Sequence, residues 1–178
     1  TIVYIPHFMS WVVAASIFSM ILSPTSAGLV NDVMMKLHLI TDNIYFLGDQ
    51  KWWRLSYYII NVWKDTGWGT IIFMATLAGI SPELYEAASM DGANRFQKMI
   101  YITLPALNNT IVTVLVLNLA KVMNLFESVF VLQNDAVIKV SDVLQTYIYT
   151  QTFNSGAIPD YGYTTAVGMF SSIISCIL

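Results

Sequence analysis

The stretch that decides the fold of this chain is Glu86-Ala87-Ala88-Ser89-Met90-Asp91-Gly92, followed after nine residues by Ile102-Thr103-Leu104-Pro105. It lies between two apolar segments, at about 56–80 and 111–132, and each reaches the roughly 20 residues that a helix needs to cross a bilayer. A charged segment in this position is accessible to a soluble partner, while both of its ends are attached to the membrane. We therefore predict a loop that can transmit movement from a soluble partner to the two membrane spans that it connects.

Composition also indicates a membrane protein. Hydrophobic residues make up 56% of the 178 residues, charged residues make up 11%, and the mean hydropathy is +0.62. Ordinary soluble domains carry roughly 25% charged residues. The net charge of −3 includes no basic run, so we expect no nucleic-acid partner. Cys176 is the single cysteine of this sequence, which excludes a disulfide within it.

We predict four membrane-spanning helices, at about 4–22, 56–80, 111–132 and 163–178. The expected fold class is all-α, a polytopic helical bundle that forms one transmembrane domain over residues 1–178. Both ends of the sequence fall inside hydrophobic runs, so we expect a fragment of a longer chain with about four of its spans. Pro6 is expected to kink the first span. Aromatic residues at the start of the second span are expected to form an interfacial belt: Trp52, Trp53, Tyr57 and Tyr58.

The loop between the second and third spans contains residues that begin and interrupt a helix. The Ser81 hydroxyl can accept a hydrogen bond from a free backbone N–H, and Pro82 suits the first helical position. Gly92 allows the chain to turn. We then expect a second short helix that stops at Leu104-Pro105.

The spacing E-A-A-x3-G-x9-I-x-L-P resembles the signature loop of the permease subunits of binding-protein-dependent ABC importers, and every fixed position is filled here. The resemblance implies a type I importer permease fold and a multi-pass position in a prokaryotic inner membrane. It also implies that 81–109 is a cytoplasmic coupling loop. The residues that it assigns to ATPase coupling are Glu86, Ala87, Ala88, Asp91, Gly92, Ile102, Leu104 and Pro105.

The same resemblance implies the partners and the cofactors. Two ABC ATPase subunits would bind the complex from the cytoplasm, a second and related permease chain would complete the pathway, and a solute-binding protein would deliver cargo outside. Membrane lipid would surround the spans. ATP and Mg would be bound by the ATPase, while this chain would hold no cofactor, no metal and no catalytic residue. Segments 60–69 and 161–168 are similar to the branch of the family that imports sugars and oligosaccharides.

Polar residues recur inside two of the predicted spans, where an ionisable side chain is costly and by default indicates a functional site. In the second span they share one helix face: Asn61, Lys64, Asp65 and Trp68. In the third span they spiral over neighbouring faces: Asn118, Lys121, Asn124 and Glu127. The two sets could line a translocation cavity whose amide and charged groups bind sugar hydroxyls. For each single residue, packing between helices is an equally good interpretation.

Three other classes of function are weighed against the importer. An ABC permease for another small solute is the nearest alternative. An ATP-independent secondary transporter would explain the polar residues in the spans but not the signature loop. An enzyme is disfavoured because no H-E-x-x-H or G-x-S-x-G pattern is present, and the chain has no G-x-x-x-x-G-K-[ST] loop of its own for ATP.

Overall fold

The computed structural model describes residues 2–25, 28–154 and 161–177, and within these ranges the regular structure is helical, with no strand. The all-α class is therefore confirmed. In chain order the elements are a 3-10 segment Ile2–Phe8, α1 Trp11–Ile21, α2 Leu29–Lys36, α3 Gln50–Ala78, α4 Pro82–Met90, α5 Arg95–Lys98, a π turn Met99–Thr103, α6 Leu104–Val122, α7 Glu127–Leu132, α8 Ile138–Ser141, α9 Leu144–Phe153 and α10 Tyr161–Ile177.

Helix α3 is the element around which the others are arranged. Its 29 residues extend about 44 Å at 1.5 Å per residue. The helix begins at Asp49, whose side chain accepts a hydrogen bond from the backbone N–H of Lys51 at 2.9 Å, and it ends at Gly79. The 3-10 segment, α6 and α8 all pack against it.

The buried core lies at the N-terminal end of α3, under α7 and the chain around residue 137. The indole N–H of Trp53 donates to the carbonyl of Leu132 at 3.1 Å, and the hydroxyls of Tyr57 and Ser128 are 2.9 Å apart. Because these rings are inside the protein, the predicted aromatic belt is wrong for Trp53 and Tyr57. Tyr58 is 60% exposed, as the belt requires.

The first predicted span, 4–22, is not one continuous helix. The 3-10 segment and α1 meet at 112°. Pro6 lies inside the 3-10 segment, and the bend comes after it, where the Ser10 side chain caps α1 by accepting from the N–H of Val13 at 3.3 Å. The expected kink is present, but it is a break that begins a new helix.

The third predicted span, 111–132, is placed differently in the structure. One unbroken helix runs from Arg95 to Val122, through the π turn, and α7 begins separately at Glu127. The helix ends because the backbone N–H of Asn124 donates to Lys121, three residues back, at 3.0 Å. The Asn124 side-chain amide instead donates to the carbonyl of Ala120 at 3.2 Å, so a side chain replaces the helical backbone bond.

Within the described residues, Arg95–Val122 is the one helix that is long and apolar enough to cross a membrane by length and composition. The bent pair of Ile2–Phe8 and Trp11–Ile21 is a second candidate if its two segments form a single span. The spans predicted at 56–80 and 163–178 correspond to α3 and α10, and their crossing of a membrane stays a prediction. Leu178, the last residue of the fourth, lies outside the described residues.

Candidate functional site

The signature residues 86–92 fold as the end of α4 and the turn that follows it. Gly92 has a φ of +76°, in the left-handed region that glycine adopts without strain. The N–H of Ala93 donates to Ala88 at 2.9 Å, and the N–H of Gly92 donates to Ser89 at 3.1 Å. These two bonds are the Schellman arrangement that ends a helix. The predicted turn at Gly92 is therefore present in the structure.

The start of α4 differs in one detail from the prediction. Ser81 has the extended backbone of a cap residue, and Pro82 occupies the first helical position, but the Ser81 hydroxyl makes no capping bond. Its backbone carbonyl already accepts from the N–H of Leu84 at 3.3 Å, and Pro82 has no N–H to offer. The cap is therefore a backbone interaction.

The sequence predicts that the second helix of the loop stops at Leu104-Pro105, but in the structure this helix continues through Pro105 to Val122. Asn94 and Gln97 form a capping box, at 2.8 and 2.9 Å, that starts the long helix. Pro105 then lies near the beginning of α6, directly after the π turn. In that turn the N–H of Leu104 donates to Met99, five residues back, so the widened backbone accommodates a proline without ending the helix.

Four side chains join α4 to the long helix in a closed circuit of hydrogen bonds. The hydroxyls of Tyr85 and Thr103 are 2.9 Å apart, and the Thr103 hydroxyl donates to the Lys98 carbonyl at 3.4 Å. The Lys98 ammonium donates to the Ser89 hydroxyl, which itself donates to the Tyr85 carbonyl at 2.7 Å. We call Tyr85, Ser89, Lys98 and Thr103 the clasp.

Most of the residues assigned to ATPase coupling are exposed on α4 and the following turns. Ala88 and Ile102 are half-buried, and the other six are exposed: Glu86, Ala87, Asp91, Gly92, Leu104 and Pro105. Met90, on the same helix, is 89% exposed. The described chain therefore leaves this helix face uncovered, with small side chains beside a carboxylate. Contact with an ATPase stays a prediction.

A polar cavity of about 670 Å³ lies near the other end of the long helix. It contains six of the eight residues that were predicted to line a pathway: Asn61, Lys64, Asp65, Lys121, Asn124 and Glu127. His7 of the 3-10 segment and Trp11 at the start of α1 also line it, together with Phe126 and Ser128. The cavity thus combines amide, charged and aromatic groups.

The two charged residues of α3 in the cavity interact differently with the 3-10 segment. Lys64 is only 6% exposed; its ammonium donates to the His7 carbonyl at 3.2 Å and lies 5.1 Å from the centre of the Trp11 ring. The Asp65 carboxylate is 3.8 Å from Nδ1 of His7 and remains largely exposed. Lys64 therefore holds the segment in place, whereas Asp65 stays open to the cavity.

Trp68 and Asn118, the other two predicted residues, lie outside this cavity. The Trp68 ring stacks on His7 at 5.2 Å between ring centres, behind the cavity wall. Asn118 lies among apolar residues of a separate groove between α3 and α6, which includes Phe73 and Leu115. Asn118 and Lys121 are three residues apart, so their side chains differ in direction by only about 60° around the helix. They nevertheless lie in different spaces, Lys121 in the cavity and Asn118 in the apolar groove.

Sequence reasoning missed the contribution of the N-terminal segment to this cavity. His7 and Trp11 come at least 50 residues before Asn61, so no spacing connects them. The available signal was Gly67: a Cβ there would lie 2.3 Å from the carbonyl oxygen of Val3, so the glycine permits the segment to lie directly on α3.

Comparison with known proteins places the chain in a family. All residues from 1 to 178 match the family described as the binding-protein-dependent transport system inner membrane component, and the chain belongs to it. Protein LplB of Bacillus subtilis strain 168 is 42% identical over 100% of this chain and 54% of its own. The same organism's polygalacturonan/rhamnogalacturonan transport system permease protein YteP is 39% identical, also over 100% and 54%.

A solved structure shows the same fold at high similarity. It is a bacterial ABC transporter involved in the import of the acidic polysaccharide alginate, with a TM-score of 0.91 and 36% sequence identity over 99% of this chain and 60% of that one. The resemblance to importer permeases, drawn from the signature loop, is thereby confirmed, and so is the resemblance to the sugar branch, drawn from segments 60–69 and 161–168. The chain spans about half the length of the curated relatives that it matches.

Proposed function

We propose that this chain is part of a permease subunit of an ATP-driven importer, in which the segment 81–105 binds a separate ATPase and the polar cavity forms part of the cargo pathway. The observation that carries the proposal is one continuous helix, Arg95–Val122. Its first turns follow the exposed signature helix α4, and Lys121 near its last turn lines the cavity. A single rigid element thus connects the two sites.

The charge and shape of α4 support a docking role. Glu86 presents a carboxylate that can pair with a basic residue of the ATPase, and Ala87 allows a partner backbone to approach closely. Met90 adds exposed apolar surface that a soluble helix would bury. ATP and Mg would be bound and hydrolysed by the ATPase subunit, with no catalytic residue from this chain.

An oligosaccharide is the cargo that suits the cavity best. Asn61 and Asn124 offer amide donors and acceptors for hydroxyl groups, and Trp11 and Phe126 offer flat apolar faces for sugar rings. The names of YteP and of the alginate importer, both of which refer to polysaccharides, agree with this choice. Lys121 and Glu127 are both exposed in the cavity and can bind carboxylate or hydroxyl groups.

The family description, which names a binding-protein-dependent transport system of the inner membrane, supports the proposed assembly. A binding protein would deliver cargo at the outer face, and a second, related permease chain would complete the pathway, since the cavity is open on one side. Two ATPase subunits would bind the two signature helices. The subunit would cross the prokaryotic inner membrane several times, with 81–109 in the cytoplasm.

The test is affinity co-purification of the full-length protein from its native membrane, followed by mass spectrometry, for the wild type and for Glu86→Lys. We expect an ATPase subunit to be retained by the wild type and lost from the variant, because the reversed charge opposes the basic partner. Asp135→Lys is the matched control: the same change of charge at an exposed residue outside the loop should leave retention unchanged. An ATPase that binds Glu86→Lys as well as the wild type would contradict docking through α4.

A further inference from the structure

The turn at Gly92 would by itself be a weak mechanical connection between α4 and the long helix. Gly92 is exposed, and a Cβ built on it would meet nothing within 4 Å, so the turn is held by its own backbone bonds to Ala88 and Ser89 and by no side chain packed on Gly92. A glycine in such a position has more accessible backbone conformations than any other residue. If α4 were pushed by a partner, a turn held by these two backbone bonds alone would absorb part of the movement.

The clasp supplies the restraint that the turn lacks. Each of its three hydroxyls has a defined role. Since the Thr103 hydroxyl donates to the Lys98 carbonyl, the Tyr85 hydroxyl is the donor in the Tyr85–Thr103 bond. Ser89 donates to the Tyr85 carbonyl and so accepts from the Lys98 ammonium through a lone pair. The circuit therefore closes with no unpaired hydroxyl, and two of its bonds cross between the helices.

The π turn is the feature that brings Thr103 into the circuit. Thr103 is the last residue of this turn, and its hydroxyl bonds to the carbonyl five residues before it, that of Lys98. A π turn contains one residue more than an α-helical turn, and one residue corresponds to about 100° of rotation around the helix axis. In a regular α-helix the Thr103 side chain would therefore point away from Tyr85. Pro105 favours the widened turn, since its missing N–H and its ring disfavour the regular one.

We propose that the clasp makes α4 and the helix Arg95–Val122 move as one rigid body, so that displacement of α4 by the ATPase reaches Lys121 in the cavity. Tyr85, Ser89, Lys98 and Thr103 are positioning residues in this scheme. They do not touch cargo or nucleotide, and they transmit the movement that couples the two sites. This inference rests on the proposed function.

The first experiment measures coupling in proteoliposomes that contain the complete transporter with its binding protein. Tyr85→Phe removes the bond between the two hydroxyls, and Thr103→Val removes that bond together with the bond to the Lys98 carbonyl. Both variants keep the approximate size of the side chain, and both lose the same bond between the helices. We expect cargo imported per ATP hydrolysed to fall about five-fold, from the net effect of one hydrogen bond, while the ATPase subunits remain bound. Thr103→Ser restores the hydroxyl and should recover the wild-type ratio.

The control is Thr113→Val on the same helix, where the hydroxyl bonds only to the Asn109 carbonyl at 2.8 Å. It should leave the ratio unchanged. Wild-type coupling in Thr103→Val and Tyr85→Phe would overturn the clasp, and so would loss of the ATPase from these variants, since they would then belong to the docking surface. A wild type that hydrolyses no ATP would instead refute the proposed function, and the clasp with it.

A second measurement observes the rigid body directly. Spin labels replace Leu84 on α4 and Val112 on the long helix, both of them exposed, in the assembled transporter with Cys176 and any other cysteine changed to serine. The wild type and Thr103→Ser should give one narrow distance distribution, and Thr103→Val a broader one. Equal widths in all three would overturn the clasp even if coupling changed.

Discussion

At the scale of single residues, the cavity separates side chains that look equivalent in the sequence. Lys121 and Asn118 are three residues apart on the same helix, and both are polar residues in an apolar segment. Lys121 faces the polar cavity, whereas Asn118 lies among the apolar side chains of the groove that includes Phe73. The two residues therefore allow a direct comparison of pathway and packing roles.

Lys121→Ala is expected to weaken cargo recognition, because it removes a charged hydrogen-bond donor from the cavity. We expect the KM for cargo uptake to rise about ten-fold, the usual effect of losing one charged hydrogen bond. Asn118→Ala is the matched variant and should leave the KM unchanged. Uptake kinetics in proteoliposomes decide between them. Equal KM values for both variants and the wild type would contradict a role of Lys121 in cargo binding and would favour packing between helices.

Single residues also show what the sequence could and could not predict. Asn61, Lys64 and Asp65 share one cavity because spacing along a helix fixes direction. Asn124 and Glu127 also reach it, but they lie beyond the end of the long helix at Val122. Trp53 was assigned to an interfacial belt, but its indole donates to Leu132, a contact between residues 79 apart in the chain that no local pattern contains. His7 and Trp11 line the cavity although they are likewise distant in sequence from its other residues.

At the scale of elements, the contact between the 3-10 segment and α3 determines the shape of the cavity. The segment crosses α3 at Gly67, where backbone lies against backbone, and Lys64 holds it one turn earlier through the His7 carbonyl. The rings of Tyr4, His7 and Trp68 form a cluster in which each contacts the other two, with ring centres 5.2 to 6.4 Å apart. Displacement of this segment would open one side of the cavity.

Gly67→Ala should displace the segment, because the new Cβ would lie 2.3 Å from the carbonyl oxygen of Val3 and 2.5 Å from the Cα of Tyr4. We expect a loss of about 1–3 kcal/mol in the free energy of unfolding, as for other overpacked sites. Gly69→Ala is the control, two residues further along the same helix, because its Cβ would meet nothing within 4 Å. The Tm of the purified full-length protein measures both. A Tm for Gly67→Ala equal to that of Gly69→Ala would contradict the close approach.

The end of a helix can be predicted from the sequence where a single residue determines it. It is predicted poorly where the surrounding backbone or a side-chain hydrogen bond also has an influence. Gly92 ends α4 because a left-handed residue stops a helix, and glycine suits that conformation. Pro105 was expected to stop a helix as well, but the π turn before it accommodates the ring. Asn124 ends the long helix through its own side chain, which no hydropathy pattern shows.

At the scale of the whole molecule, the chain has a cavity and an exposed signature helix at opposite ends of one helix. Arg95–Val122 extends about 42 Å, from its 28 residues at 1.5 Å each. A ligand shifts a conformational equilibrium only if it binds the two states with different affinity, and an ATPase that changes shape on α4 meets this condition. The ATPase partner would therefore supply the energy, and this helix would transmit it to the cavity.

The most direct test of this account is cargo uptake by proteoliposomes that contain the full-length protein, its partner permease, the ATPase and the binding protein. Uptake of a panel of neutral and uronic-acid oligosaccharides is measured with ATP, with ADP, and with ATP plus an ionophore that collapses ion gradients. The account predicts uptake of an oligosaccharide that requires ATP and is unaffected by the ionophore. Uptake that proceeds with ADP and stops with the ionophore would contradict it and would identify a secondary transporter.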